Sequence, residues 1–283
     1  MKTIKIAGVP EHFNLPWHLC IENGEFESEG IALQWTDVPE GTGKLCQMLR
    51  DKETDIAIIL TEGIIKDIVA GNESSIVQVY VESPLIWGVH VAANSKYQSL
   101  SDLKNTKIAI SRYGSGSHLM AYVNAQNENW NTETLQFEIV NTIDGAVEAL
   151  TNGTADYFMW EHFMTKPLVD RGVFRRLTNC PTPWPCFVIA IRNEFLENNP
   201  QTIARILEII NTTTIEFKDI PSIDRTLASK YHQKIEDIQE WLSFTHWSQK
   251  PLEEKVLNKI QNQLFDLKII DKKGTFAELV KAI

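Results

Sequence analysis

The chain has 283 residues, of which 43% are hydrophobic and 23% charged. This balance is typical of a globular protein and excludes a disordered or collagen-like chain. The formal net charge is −10 and no cluster of lysine or arginine occurs, which argues against nucleic acid as the main partner. No apolar stretch approaches the ~18 residues needed to cross a bilayer, so we expect no membrane insertion.

The first part of the chain alternates between short apolar runs and amphipathic ones, a pattern typical of a parallel sheet with crossover helices. The predicted strands are Thr3–Val9, Ile31–Val38, Asp55–Leu60 and Ser75–Val81. The predicted helices between them lie near Leu15–Glu25, Gly43–Asp51 and Glu62–Ala70. Each helix follows its strand after a few residues, as a βαβ unit requires.

A second series of the same kind begins after Ser83-Pro84. Its predicted strands are Gly88–Ala93, Lys107–Ser111, Leu135–Asn141 and Ala155–Trp160, and its predicted helices are Ser117–Ala125 and Asp144–Thr151. A proline-rich segment, 181–185, then leads into another apolar strand at Cys186–Ile191. The second series therefore predicts a second α/β lobe.

From Pro200 onward the pattern is helical only, with predicted helices at Gln201–Phe217, Ser222–Tyr231, Ile235–Phe244, Leu252–Leu267 and Phe276–Ala282. Such a tail needs a sheet to pack on, and we expect it to return to the first lobe. The predicted lobes are residues 1–85 with 188–283, and residues 86–187. The fold class predicted is α/β, with two Rossmann-like lobes joined by a two-strand hinge and a ligand in the cleft where both sheets end.

Several short sequence segments resemble those of proteins with the type II periplasmic-binding-protein fold. They are Glu29–Trp35, Asp55–Ile58, Ser101–Ala109, Gly114–His118 and Gly153–Tyr157. The branch they are similar to is the NMT1/THI5-like or SsuA/TauA-like group, which includes the sulfonate, taurine, nitrate and thiamine-pyrimidine binding proteins. The resemblance covers the chain from Ile4 to about Phe195 and is more specific for fold than for ligand.

The sequence differs from the exported members of this group, because it shows no leader and no lipid-attachment cysteine near its start. It also lacks the cysteine-rich run of the pyrimidine-synthase members. We therefore expect a signal-less, cytoplasmic relative, or a periplasmic protein if a leader has been removed, in which case an ABC permease becomes a partner. The four cysteines, Cys20, Cys46, Cys180 and Cys186, match no zinc or redox spacing and are expected to be reduced.

A glycine- and hydroxyl-rich turn, Ser111–His118, follows a predicted strand and opens a predicted helix. Glycines let the backbone approach a ligand, and the amides of a first helical turn face outward at the positive end of the dipole. We predict that Ser115, Gly116, Ser117 and His118 bind a carboxylate, sulfonate or phosphate. The alternative is a serine N-cap that needs no ligand.

The equivalent turn of the first lobe is Glu40–Lys44, from which we predict that Gly41 and Thr42 contact the ligand. It is not a Walker motif, because the spacing from glycine to lysine is wrong and no serine or threonine follows the lysine. Taken alone, the turn is a helix start. In the resembled family the corresponding turns line the cleft.

Polar and aromatic residues follow the first and third predicted strands. Glu11, His12 and Phe13 offer a hydrogen-bond acceptor, a titratable ring and a stacking face. Glu62 supplies a second carboxylate, whose alternative role is favourable placement in the first turn of a helix. We predict ligand contact for all four residues.

In the second lobe, Trp160, Glu161 and His162 end a predicted strand. We predict ligand contact for them, with Glu161 and His162 as acid–base partners if a reaction occurs. The alternative is a solvated loop with Trp160 in the core. The chain is predicted to cross between the lobes near Glu82–Trp87 and near Cys180–Val188. Trp87 and Trp184 lie at these crossings, where a tryptophan can pack on a ligand or brace a hinge. Of the two, we predict ligand contact for Trp87.

The histidines are scattered without the spacing of metal ligands, and no nucleophile elbow, kinase signature or dinucleotide fingerprint occurs. We expect neither a metal nor a cofactor. The favoured hypothesis is a solute-binding or ligand-sensing protein for a small polar molecule, anionic or heterocyclic. The alternative is a cytoplasmic biosynthetic enzyme on the same scaffold, like those of menaquinone or thiamine synthesis, and fold alone does not separate the two.

Overall fold

A computed structural model describes residues 3–283, so Met1 and Lys2 of the predicted first lobe lie outside the described residues. The chain divides into two compact units. Unit 1 contains the described residues up to Ser83 together with Trp184–Ile283, and unit 2 contains Pro84–Pro183. The chain thus leaves unit 1 once and returns to it once.

The first part of unit 1 alternates strands and helices. Its strands are β1 (Thr3–Gly8), β2 (Ala32–Asp37), β3 (Ile56–Leu60) and β4 (Ser74–Val81), and its helices are α1 (Leu15–Glu22), α2 (Glu25–Ser28), α3 (Thr42–Arg50) and α4 (Thr61–Val69). Helix α3 shows why the elements form here. Its buried residues Leu45, Cys46, Met48 and Leu49 recur at the spacing of one helical face.

Unit 2 repeats the alternation. Its strands are β5 (Ile86–Ala92), β6 (Lys107–Ile110), β7 (Gln136–Ile139), β8 (Tyr157–Glu161) and β9 (Phe174–Pro181), and its helices are α5 (Gly116–Asn127), α6 (Ile143–Asn152) and α7 (His162–Asp170). Strand β9 and helix α7 were not predicted. Helix α7 contains Pro167, a residue that disfavours a helix interior. Strand β9 is only partly buried and carries Arg175 and Arg176, so its sequence lacks a clear apolar run.

The chain then returns to unit 1 as β10 (Phe187–Arg192), followed by helices only. These are α8 (Asn193–Asn198), α9 (Pro200–Glu216), α10 (Ile223–Tyr231), α11 (Ile235–Phe244), α12 (Glu254–Asp266) and α13 (Phe276–Leu279). Helix α9 packs against α1, α12 against α4, and α13 against β4. The prediction that the helical tail packs on the first lobe is confirmed.

Within the described chain, the sheet of unit 1 has the order β2-β1-β3-β10-β4, and that of unit 2 has the order β7-β6-β8-β5-β9. Strands β1, β2 and β3 are parallel, as predicted, but β10 enters antiparallel between β3 and β4. The predicted parallel pairing thus holds for β1, β2 and β3, whereas the complete sheet is mixed. Strand β10 is buried on both faces. Its continuous apolar run predicts a buried strand but not the direction of that strand in the sheet.

Strand β5 plays the same part in unit 2, where it runs antiparallel between β8 and β9. The two units thus share one arrangement of three parallel strands followed by an antiparallel one and an edge strand. The predicted α/β class with two lobes is confirmed. No helix within residues 3–283 combines the length and apolar character needed to cross a membrane.

Candidate functional site

One candidate site lies in unit 1, where β1 and β3 end side by side. The two strands are parallel neighbours, with Gly8 opposite Ile58, so the segments that follow them leave from one edge of the sheet. The antiparallel β10 begins at the same edge, because Phe187 pairs with Leu60. We call this edge the unit 1 edge, comprising residues 9–14, 61–63 and 184–186.

Glu62 is a buried carboxyl at the unit 1 edge, only 4% exposed. It lies in the first turn of α4, which begins directly after β3 without a loop. Its Oε2 accepts a hydrogen bond of 2.8 Å from Trp184 Nε1. Burial raises the pKa of Glu62 to about 7, although its hydrogen bonds act in the opposite direction.

Glu11 is a second carboxyl at this edge and is half-buried. No hydrogen bond to its carboxylate is formed by residues 3–283, and burial raises its pKa to about 7. Both carboxyls act on the thiol of Cys186, whose pKa is raised well above its usual value by burial first and then by the charges of Glu62 and Glu11. Each carboxyl is therefore close enough to Cys186 to act on its thiol.

His12 and Phe13 lie in a short 3₁₀ turn after Glu11 and are buried. The His12 ring stacks on Trp241 with a centroid separation of 4.4 Å and meets Phe13 edge-on. Burial lowers the pKa of His12 to about 3, so its imidazole is neutral at physiological pH. The predicted titratable ring is present at the edge, but it does not titrate near neutral pH.

Thr42 opens helix α3, and Gly41, before it, has φ +76°, the left-handed region that favours glycine. A Cβ built on Gly63 would come within 2.2 Å of Thr42 Cγ2. The starts of α3 and α4 therefore touch, and glycine at position 63 is required for their close approach. This contact brings Gly41 and Thr42 beside Glu62 within unit 1.

Another candidate site lies in unit 2, after β6. Ser115 is the N-cap of α5 and accepts from the His118 amide at 3.3 Å, while its hydroxyl donates to the Arg112 carbonyl oxygen at 2.7 Å. Ser117 Oγ accepts from the Ser111 amide at 2.9 Å. The predicted serine hydroxyls are thus engaged within the turn, and the groups left for an anion are the first two amides of α5, those of Gly116 and Ser117.

His118 and the residues after β8 complete what we call the unit 2 edge, comprising residues 111–118 and 160–162. The Gly114 amide donates to His118 Nδ1 at 3.1 Å. Glu161 caps α7 by accepting from the Met164 amide at 2.7 Å, and His162 Nδ1 lies 2.9 Å from Asn179 Oδ1. These partners hold both side chains of the predicted acid–base pair in structural contacts.

Trp87 and Trp160 lie edge-on to each other in unit 2, with ring centroids 6.3 Å apart. Trp160 is half-buried and stacks on Phe158, whereas Trp87 is buried. The structure brings these two predicted residues together. Trp184, predicted only as a crossing residue, donates a hydrogen bond to Glu62 at the unit 1 edge.

Sequence reasoning did not find the residues that the distant helices bring to the unit 1 edge. Trp241, on α11, stacks on the His12 ring. The ring centroid of Tyr231, at the end of α10, lies 5.7 Å from the ring centroid of His12. Tyr231 Oη and Trp241 Nε1 are buried and have no hydrogen-bond partner within residues 3–283. No local motif surrounds either residue, so no signal in the sequence could have placed them here.

Two adjoining hollows of about 470 and 640 Å³ lie along α9 in unit 1. They share Ala204, Ala282 and Ile283 in their lining. None of the predicted site residues lines either hollow, so they are separate from the unit 1 edge. Within residues 3–283, no group of three histidine, cysteine or acidic side chains is placed to hold a metal ion.

Comparison with solved structures supports the assignment of the fold. The Candida albicans CA3427 gene product, described as defining a family with the generic periplasmic binding protein fold, is 26% identical, with a TM-score of 0.89 over 99% of this chain and 96% of that one. The alkanesulfonate-binding protein SsuA of Xanthomonas axonopodis pv. citri, solved with MOPS, is 15% identical, with a TM-score of 0.83 over 99% and 98%. Escherichia coli SsuA is 17% identical, with a TM-score of 0.77 over 99% and 92%.

These likenesses and the two α/β units define the class: the chain has the fold of the type II periplasmic binding proteins. Within this class, residues 87–180 match the family described as Ca3427-like PBP. No curated protein sequence matches the chain significantly. The resemblance to this fold and its SsuA-like branch is thus confirmed, and it supports a ligand-binding role.

Proposed function

We propose that the chain binds a small polar molecule, anionic or heterocyclic, as a solute-binding or ligand-sensing protein, and that the unit 1 edge and the unit 2 edge each carry polar groups able to bind such a molecule. The observation that carries this proposal is the concentration of polar groups where parallel strands end. In α/β sheets this is the position at which ligands bind. Unit 1 places Glu11 and Glu62 there, and unit 2 places the amides of the α5 start there.

The chemistry of the two edges supports binding more than catalysis. Glu161 caps a helix and His162 contacts Asn179, so both side chains of the pair predicted for acid–base chemistry make structural contacts. The amides at the start of α5 suit an anionic group, because they meet it at the positive end of a helix of 12 residues. Binding of this kind needs no bond to be made or broken.

The test is a thermal-shift screen of the purified chain against carboxylates, sulfonates, phosphates and pyrimidines. A ligand that binds only the folded protein raises the melting temperature in a concentration-dependent way. We expect a shift from at least one class, reduced in Gly116→Pro, which removes the backbone N–H at the first position of α5. The matched control is Glu254→Pro, which makes the same change at the exposed first position of α12, outside the residues of both edges. A screen without any shift would contradict the proposal.

We further propose that the chain works in the cytoplasm. The four cysteines are free and buried, which suits a reducing compartment. Fractionation of the source cells tests this, and recovery of the chain from a periplasmic fraction would contradict it. An ABC permease would then be the partner to seek, by co-purification.

A further inference from the structure

Three segments that are distant in the chain meet at the His12 ring in unit 1. The Trp241 ring of α11 stacks on it with a centroid separation of 4.4 Å, and the centroid of the Tyr231 ring of α10 lies 5.7 Å away. Trp241 is fully buried, whereas Tyr231 is half-buried. All three residues belong to unit 1, so the arrangement is complete within that unit.

Two hydrogen-bond donors around the His12 ring have no acceptor. Trp241 Nε1 and Tyr231 Oη are both buried, and neither forms a hydrogen bond within residues 3–283. A buried donor without an acceptor destabilises the folded state, and native proteins pair the great majority of such groups. Two unpaired donors on the rings that pack against one imidazole therefore point to an acceptor from another molecule.

Neighbouring aromatic side chains show that this part of the core can pair such donors. Tyr80 Oη donates to the Phe13 carbonyl oxygen at 2.8 Å, and Trp247 Nε1 donates to the same oxygen at 3.2 Å. Trp247 also packs edge-on against Trp241, with ring centroids 5.7 Å apart. The rings that reach the Phe13 oxygen are thus paired, whereas the two rings on His12 are not.

The charges around Tyr231 favour an acceptor without charge. Burial first, and then the charges of Asp37, Glu11 and Glu22, raise the pKa of the Tyr231 hydroxyl. Lys230, the preceding residue on α10, lies 3.3 Å from a carboxylate oxygen of Glu22 and is paired with it. An anion beside the hydroxyl would meet repulsion from these carboxylates. A neutral carbonyl oxygen or ring nitrogen avoids that repulsion.

We propose that Tyr231 Oη and Trp241 Nε1 donate hydrogen bonds to an uncharged acceptor of the ligand, a carbonyl oxygen or ring nitrogen of a heterocycle. The inference rests on the proposed function and names the kind of ligand group bound beside His12. Tyr231 is half-buried and is the last residue of α10, so its side chain can turn toward solvent while Trp241 stays packed. This movement gives the ligand access to the indole N–H.

The first experiment compares two variants that each remove one hydroxyl. Tyr231→Phe removes a donor without an acceptor, so we expect the melting temperature to stay the same or to rise. Tyr80→Phe removes a hydroxyl that is bonded to the Phe13 oxygen, so we expect the melting temperature to fall. An equal fall in both variants would show that the Tyr231 hydroxyl is already paired in the free protein, and would overturn the inference.

The second experiment measures affinity by calorimetric titration. The neutral probes are uracil, 2-pyridone and pyrimidine, and the anionic probes are acetate, ethanesulfonate and phosphate. We expect at least one neutral probe to bind, and Tyr231→Phe to weaken it by about fivefold or more, the scale of one buried hydrogen bond. Tyr80→Phe should bind it as the wild type does. Trp241→Phe, which keeps a ring but no N–H, should also weaken it, and Tyr231→Phe carries the test if Trp241→Phe does not fold.

The outcomes distinguish the inference from the proposed function. If a neutral probe binds wild type and Tyr231→Phe equally tightly, the hydroxyl meets only water, so the inference is wrong and the proposed function stands. If only anionic probes bind, the inference is also wrong, and the proposed function again stands. If no probe of either kind binds, the proposed function and the inference fail together.

Discussion

The unit 1 edge and the unit 2 edge occupy the same place in two sheets of the same strand pattern, yet their chemistry differs. At the unit 1 edge, Glu62 accepts a hydrogen bond from Trp184, and the charges of Glu62 and Glu11 both raise the pKa of the Cys186 thiol. At the unit 2 edge, serine hydroxyls bond to their own turn and leave helix amides for a ligand. Strand order thus determines where a site forms, while the segments after the strands determine what it can bind.

The two edges also differ in what supports them. His12 is covered by Trp241, far along the chain on α11, whereas the α5 turn is held by bonds among Ser111–His118. We expect the unit 1 edge to depend on long-range packing and the unit 2 edge on local hydrogen bonds. The following predictions test that difference.

The largest effect is expected from Trp241→Ala. Trp241 is fully buried and contacts His12, Phe13 and Trp247, so its removal should lower the free energy of unfolding by about 3–5 kcal/mol. The matched variant Trp160→Ala removes a half-buried ring of unit 2 and should cost less than half as much. Urea unfolding measures both, and equal losses would contradict the difference in support.

A pH dependence follows from Glu62. Its pKa is 4.5 in ordinary surroundings and about 7 here, so between these values the folded chain holds a proton that the unfolded chain releases. The free energy of unfolding should therefore fall as pH rises through this window, by about 3 kcal/mol for this one group.

The measurement is urea unfolding near pH 5 and near pH 8. Glu62→Gln should lose this part of the pH dependence. The control Glu240→Gln, at an exposed position of α11, should keep it. If the free energy of unfolding rises over this window equally in the wild type and in Glu62→Gln, the Glu62 carboxyl is not held in its neutral form.

The contact between helix starts in unit 1 predicts an intermediate effect. Gly63→Ala places a methyl group against Thr42 Cγ2 and should lower the free energy of unfolding by about 1–3 kcal/mol. Thr42→Ser removes the opposing methyl, so the double variant should recover most of that loss. A double variant no more stable than Gly63→Ala would show that the strain lies elsewhere.

The smallest effect is expected at the α5 turn. Ser115→Ala removes the N-cap acceptor and should cost about 1 kcal/mol, while Ser115→Gly should cost only a few tenths. Thermal unfolding of the two variants measures the difference. No loss of stability in Ser115→Ala would mean that the serine hydroxyl does not act as a cap.

Much of this arrangement follows from the sequence. The period of apolar residues predicts β1, β3, α3 and α4, and the strand ends then place Glu11 and Glu62 at one edge. The direction of β10 does not follow, because an apolar run buried on both faces has no polarity. Nor does the cover supplied by Tyr231 and Trp241, because contacts between distant segments depend on the packing of α10 and α11 and leave no local pattern.

Hydrogen–deuterium exchange with and without a binding probe from the screen tests the central claim most directly. We predict that the probe slows exchange of amides in peptides covering residues 9–14 and 61–63 of unit 1, or in peptides covering residues 112–118 of unit 2. Protection confined to α9 and residues 281–283, where the two hollows lie, would contradict it.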